Sequence, residues 1–336
     1  IVHRGLNITS LLHPIIKRDK DENHRAHIHI RISNKLPIEE CSSLQETMED
    51  ILSDISLANQ DWLSMKEKVL ACLDTLKTAP KKTYTTALIE DNIEFLNYIY
   101  NDNFTLLGYR EYRFNKQKDG TTKNATVRKS GLGLLRNERT PIFLNHKDVS
   151  LPDHLQDLRA SLPPIHVSKI NKLSTVHRKV PLDCLTIKIF DKNGELVGEG
   201  CFIGLFTSVT YNQSLKAIPF LRHKADCVVE NMGFKKGSHD HRVLRHVLEK
   251  YPRDELFQIT VEQLTNFSSE LVQLQDYKRV ALFMRDDLFE RSVSCLIYVP
   301  KDRWDTRLRL KFKSILEKAL DGKTADYSLS IDDSSL

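Results

Sequence analysis

Between Glu255 and Asp333 the spacing of apolar residues switches repeatedly between two and three-to-four, and few folds accommodate the order of elements this describes. Leu256 to Thr260 is a short apolar run that predicts a strand. Thr260 and Gln263 form a capping-box signature for a helix presenting Leu264, Phe267, Leu271 and Leu274 on one face. Arg279 to Arg285 is β-prone, Asp286 and Asp287 make a charged turn, and Ser292 to Pro300 alternates Val293, Cys295, Ile297 and Val299 toward one expected buried face. Asp305 then caps a helix carrying Leu308, Phe312, Ile315, Leu316, Ala319 and Leu320. Gly322 is its expected stop, and Tyr327, Leu329 and Ile331 alternate as a last strand. Strand, helix, strand, strand, helix, strand is the ferredoxin-like order, with both helices on one face of a four-stranded antiparallel sheet.

The start of the chain repeats the second half of this unit. When Arg18-Asp19 is laid on Arg285-Asp286, Ile28, Ile30 and Ile32 fall on Cys295, Ile297 and Val299, so the inward faces stay in register. A helix expected from Ser43 carries Leu44, Met48, Ile51 and Leu52 at the spacing of Leu308, Phe312, Ile315 and Leu316. His27 and His29 alternate with the isoleucines and are expected on the opposite face. Only a dozen residues precede Pro14, too few for an opening strand and helix, so the chain is expected to be a fragment of a longer protein.

The middle reads as α+β. A helix from Asp61 to Ala79 has Trp62, Met65, Val69, Cys72, Leu73 and Leu76 as its seam, and another from Leu88 has Ile89, Ile93, Leu96 and Tyr100. Strands follow at Phe104–Phe114 and Ala125–Arg136, then a proline-marked segment (Pro141, Pro152, Pro163, Pro164) with one short helix. Further strands begin at Ile165 and Leu182, with a turn at Asp191-Lys192-Asn193-Gly194. Two strands, helical filler and about three more strands describe an antiparallel sheet similar to the PAS or GAF arrangement. Helices at Ala225–Asn231 and Asp240–Lys250, the second stopped by Pro252, lead to the C-terminal unit.

Several chemistries are disfavoured. Lysines and arginines are interspersed with 45 acids, so a net charge of +5 makes no basic stripe for nucleic acid. Apolar runs are strand-sized and the opening residues do not form a signal peptide, so no membrane span is expected and the cytoplasm is the expected location. The six cysteines lack C-x-x-C spacing and are expected to be reduced and structural. Gly131-Leu132-Gly133 and Gly198-Glu199-Gly200 with Gly204 lie inside strand patterns with no helix after them, which fits bulges or close packing better than a nucleotide fingerprint. His223, Cys227, His239, Asp240, His241 and His246 are dense in potential ligands. His241 and His246 diverge on a helix, however, and Ser238 or Asp240 is better read as its cap. No paired carboxylates stand in an apolar setting suited to acid–base catalysis, so no catalytic, metal or cofactor residue is assigned.

NFTLLGYREYRF, GLGLLR, STVHRKVPLDCL, YPRDELFQI and FMRDDLFERSVSCLIYVPKDRWDTRLR together resemble the N-terminal region of the large NAD-specific glutamate dehydrogenases of bacteria, a resemblance that extends over essentially the whole chain. It implies a parent that oxidises L-glutamate to 2-oxoglutarate and ammonia with NAD in a dehydrogenase domain downstream. The segment present would be a non-catalytic, self-associating region of ACT-like and PAS-like modules. On that basis residues 1–61 are a partial ACT-like domain, 62–87 a helical connector, 88–217 a PAS-like domain, 218–254 a second connector and 255–336 an ACT-like domain. ACT modules resemble one another in holding amino acids where the first strand turns into its helix, which implies an effector at Thr260, Val261 and Glu262, with Glu262 facing the ammonium. Capping alone also explains Thr260 and Gln263. A free-standing amino-acid sensor and a purely architectural arm remain open as alternatives.

Overall fold

The computed structural model describes residues 5–16, 25–33, 35–116, 122–137, 162–276, 279–288 and 291–331. The chain divides into two units, Ile1–Ser56 and Leu57–Leu336. The first holds β1 (Ile8–Leu12), β2 (Ile15–Ile16), β3 (Arg25–Ala26) and β4 (His29–Ile32), and helix α1 (Ile38–Gln60) starts within it. β1 pairs antiparallel with β4 through Leu12↔His29, with a bulge between Ile8 and Ser10, and β2 pairs with β3. Ile30 and Ile32 are the less exposed residues of β4, and His29 faces out as its alternation requires, while His27 precedes the strand. The helix begins at Ile38 rather than Ser43. The Pro37 carbonyl accepts from Cys41 N–H, and Glu39 and Glu40 favour the positive N-terminus. None of this unit's described residues is buried, and Ile15, Ile28, Ile38 and Leu52 are each more than half exposed.

In the second unit α2 (Trp62–Leu76) and α3 (Thr86–Tyr98) pack on one face of a sheet formed by β5 (Phe104–Lys116), β6 (Thr122–Thr126), β7 (Leu132–Gly133), β8 (Ile165–Leu173), β9 (Pro181–Phe190) and β10 (Leu196–Phe206). Its order is β6-β5-β10-β9-β8, all antiparallel, with β7 also on β5. The strand expected at 125–136 is therefore two short pieces. The turn into β10 is as the sequence predicts: Gly194 sits at φ 78° and donates to the Asp191 carbonyl. Met65, Val69, Cys72 and Leu76 of α2 and Phe95 and Leu96 of α3 share a core with Tyr109, Leu185, Ile187, Phe202 and Phe206. Trp62, expected in the α2 seam, is instead 42% exposed. The Pro141 and Pro152 segment, with its expected short helix, lies outside the described residues.

After a helical turn α4 (Ser208–Asn212) come α5 (Leu221–Met232), α6 (His239–Lys250), α7 (Arg253–Gln258) and α8 (Val261–Asp276), of which α5 and α6 both pack on α8. Here the sequence reading fails at one element, because Leu256–Thr260 is not a strand. Arg253–Gln258 is a short helix with Pro252 at its N-cap and Asp254 and Glu255 in its first turn, where acids complement the helix dipole. An apolar run this short carries no period that separates strand from buried helix.

The hairpin β11 (Ala281–Asp286) with β12 (Val293–Tyr298) forms in the register Phe283↔Leu296. Its packed face is the opposite of the expected one. Phe283 lies against Phe267 and Tyr298, with Leu296 beside it, whereas Cys295 and Ile297 pair with the outward Met284 and Leu282. β12 is apolar on both faces, so alternation alone leaves its orientation undetermined. In α9 (Thr306–Ala319), Asp305 caps Leu308 N–H at 2.6 Å, and no residue of the helix is buried. The left-handed residue at its end is Asp321, not Gly322. Tyr327, Leu329 and Ile331 are exposed and form no strand. With α7 in place of the expected first strand, a last strand there has no ladder to join. Four of the six expected elements, α8, β11, β12 and α9, are in place.

Candidate functional site

The residues singled out for an effector stand at the α7–α8 corner. Thr260 Oγ1 accepts from Gln263 N–H at 3.1 Å and Gln263 Oε1 accepts from Thr260 N–H at 3.3 Å, so the capping box is formed. Val261 is half-buried, and Glu262 is exposed in the first turn of α8. The corner joins two helices rather than a strand and a helix, and two of its free N–H groups are already bonded within the box.

Side chains converge instead on α7, which is gripped from four elements, β8, α4, α5 and β11. From β8, Lys169 Nζ reaches Asp183 at 2.8 Å and Asp254 at 3.2 Å, while from α4 the Tyr211 hydroxyl donates to Asp254 at 2.7 Å. From α5, Lys224 donates to the carbonyls of Leu256 and Ile259, 2.6 and 2.7 Å away, at the helix's C-terminal end. From β11, the Arg285 guanidinium meets both oxygens of Glu255 at 2.9 and 3.2 Å. Phe257 stacks on Phe206 with centroids 4.0 Å apart, placing α7 in the aromatic core of the sheet.

Burial sets the protonation of this network. It pushes the Asp183 carboxyl upward, with the Asp254 charge adding to it, while Lys169 pulls the other way. Burial works against the Lys169 ammonium, but Asp183 and Asp254 outweigh it and raise its pKa. Burial and the Arg285 charge bring Lys224 down to about 7, so its ammonium relies on the carbonyls it bonds. On β8, burial lowers His166 to about 4, with Asp287 opposing and Lys224, Arg291 and Arg285 reinforcing the shift.

Both glycine clusters serve the sheet. Gly133 has φ 56°, and a Cβ there would stand 2.3 Å from the Leu107 carbonyl. Its N–H donates to Asp61, which also binds Arg136 at 2.6 Å, so the donors that could hold a phosphate hold the start of α2. Gly204, in β10, approaches the Thr105 carbonyl so closely that a Cβ would lie 2.0 Å from it. The histidine-rich segment is a helix start, with Ser238 Oγ accepting from His241 N–H. Among the described residues no three His, Cys, Asp or Glu side chains are grouped to hold a metal ion.

The sequence reading missed the role of Asp254 and Glu255, although both lie in YPRDELFQI, one of the most specific stretches of the resemblance. Acids inside an otherwise apolar run were the available signal.

Two family models match this chain: one described as glutamate dehydrogenase, helical motif 1, over residues 218–277, and one as glutamate dehydrogenase, ACT2 domain, over residues 281–336. The NAD-specific glutamate dehydrogenase of Halomonas elongata is 28% identical over 99% of the chain and 22% of its own length. That of Pseudomonas aeruginosa is 30% identical over 92% of the chain and 19% of its own length. That of Mycobacterium tuberculosis is 30% identical over 41% of the chain and 8% of its own length. The chain thus spans about a fifth of the length of the first two of these relatives. The first model ends one residue beyond α8 and the second starts at the first residue of β11.

Proposed function

The chain belongs to the family of the large NAD-specific glutamate dehydrogenases, as its N-terminal region, and on that premise we propose that it is a regulatory and assembly region rather than the seat of dehydrogenase chemistry. Its parent, on this reading, oxidises L-glutamate to 2-oxoglutarate and ammonia with NAD in the cytoplasm, in a downstream domain of the same chain. The ACT2 match supports the ACT-type reading of β11, β12 and α9. The central sheet, whose last strand lies beside its first, supports the PAS-like one.

The observation that carries the regulatory reading is the grip on α7. A helix held by Lys169 of the sheet, Lys224 of the helical region and Arg285 of the ACT-type hairpin ties three modules together, so a ligand or partner that shifts one of them must work against the other two. Exposed apolar side chains, including Ile15 and Ile28 in the first unit and Met284 and Ile315 in the second, favour self-association as the assembly role. An amino acid held at Thr260, Val261 and Glu262 remains part of the proposal, provided that it displaces or tolerates the capping box.

Deleting this region from the parent is expected to change its assembly state or its response to amino acids while glutamate oxidation persists. Unchanged assembly together with an unchanged response would overturn the regulatory reading. Glutamate-dependent NAD reduction by the isolated chain, proportional to its concentration, would overturn the non-catalytic one.

A further inference from the structure

A cavity of about 270 Å³ opens where the turn Leu215–Ala217 meets α5 and α6. Its apolar lining comes from Leu215, Ala225, Val229 and Leu248, its charges from Lys216, Arg222, Asp226, Arg245 and Glu249, and His246 completes the wall. The volume lies just under the ~300–1,000 Å³ of drug-sized pockets, which suits a small metabolite and is too small for a dinucleotide.

The charged side chains differ in what already holds them. Arg222 is paired with Glu94 of α3. Glu249 is taken by Arg253 at 2.8 Å and by the Leu215 N–H at 3.0 Å, so this carboxylate fixes one wall rather than offering itself to a ligand. Among the described residues no hydrogen bond or ion pair engages Lys216, Arg245 or Asp226. Two cations and one anion therefore face a concavity with an apolar floor, a net charge of +1.

The complement of that set is a molecule with two carboxylates, one ammonium and a short aliphatic stem, of net charge −1. We propose that this cavity binds an acidic amino acid. Arg245 takes one carboxylate through its planar fork, Lys216 takes the other as a point charge, and Asp226 meets the ammonium. Leu215 and Val229 contact the methylenes. The proposal rests on the regulatory reading and gives it a ligand and a place in the helical region, away from the Thr260 corner. Because α5 also carries Lys224, which holds the end of α7, the cavity shares a helix with the module-tying network.

Titration calorimetry on the isolated chain, with L-glutamate and L-aspartate at millimolar concentration, tests it directly. Both should bind, glutarate and L-glutamine more weakly, and inorganic phosphate more weakly still. Arg245→Gln should weaken glutamate about tenfold or more, as expected for loss of a charge-assisted pair, whereas Arg245→Lys should retain part of the affinity. Asp226→Asn should weaken glutamate and leave glutarate unchanged or tighter. Lys216→Gln, at an exposed position, gives a second variant if the Arg245 substitutions disturb folding as judged by circular dichroism.

No heat with either amino acid would overturn the proposal, as would affinity indifferent to Arg245→Gln and Lys216→Gln, or phosphate binding as tightly as glutamate. Any of these could occur while deletion of the region still alters the parent's assembly, so failure of the site is distinguishable from failure of the regulatory reading.

Discussion

Replacing Arg285 with methionine is the most direct probe of the grip on α7. The guanidinium side chain is 8% exposed and its partner Glu255 15%, so both charges are largely removed from water. The substitution fills much of the same volume but leaves the Glu255 carboxylate, largely out of water, without its cation. Breaking a buried pair on one side costs about 3–5 kcal/mol, and the residual exposure of Glu255 places this case at the lower end, about 3 kcal/mol. For a unit of this size that is a fall in melting temperature of roughly 6–12 °C. Adding Glu255→Gln removes the orphaned charge, and the double variant should recover most of the loss, to within about 1 kcal/mol of the parent, since apolar and neutral replacements of buried pairs are often tolerated. Thermal and urea unfolding followed by circular dichroism on the four proteins of this cycle give the coupling energy, expected to be at least about 2 kcal/mol, because Glu255→Gln alone leaves the Arg285 cation unpaired. A single-variant cost under about 1 kcal/mol, or a double variant that loses the sum of the singles, would refute the claim that this pair fastens the hairpin to α7.

Thr260→Ala should lower stability by about 1 kcal/mol, read as a shift in the urea midpoint, because it removes the acceptor for Gln263 N–H; Thr260→Ser should restore most of it. His166 supplies a pH dependence. Its folded pKa of about 4 lies below the unfolded value of about 6.5, so between the two the unfolded chain binds the proton and the folded chain does not. Stability present above pH 6.5 is therefore lost as the pH falls toward 4, by up to about 1.4 kcal/mol per pH unit, and His166→Gln should flatten that limb. The difference between the two curves isolates His166 from Asp183, whose raised carboxyl pKa acts in the opposite sense; coincident curves would contradict the assignment.

Local chemistry was legible wherever it depended on neighbours in the chain. The capping residues Ser238, Thr260 and Asp305, the Asp191–Gly194 turn and, apart from Trp62, the apolar faces of α2, α3 and α8 follow from spacing and hydrogen-bonding capacity and stand as the residues imply. Gly133, Gly198, Gly200 and Gly204 lie in strands as their patterns imply, whereas Gly131 precedes β7.

Tertiary packing decided what a short apolar segment cannot encode. Leu256 to Thr260 satisfies strand and helix patterns equally, and the helix Arg253–Gln258 that forms there is held by Lys224, Arg285 and Phe206, which supply partners for the carbonyls of Leu256 and Ile259, the Glu255 carboxylate and the Phe257 ring. β12 is apolar on both sides, so the ring of Phe267, and not alternation, selected the face carrying Leu296 and Tyr298. The ion pairs of Lys169 with Asp254, 85 residues away, and of Arg285 with Glu255, 30 residues away, depend on contacts between elements far apart in sequence. Propensity and periodicity report only what a residue prefers from its near neighbours. Which carboxylate meets which cation is set by the packing of sheet, helices and hairpin around α7.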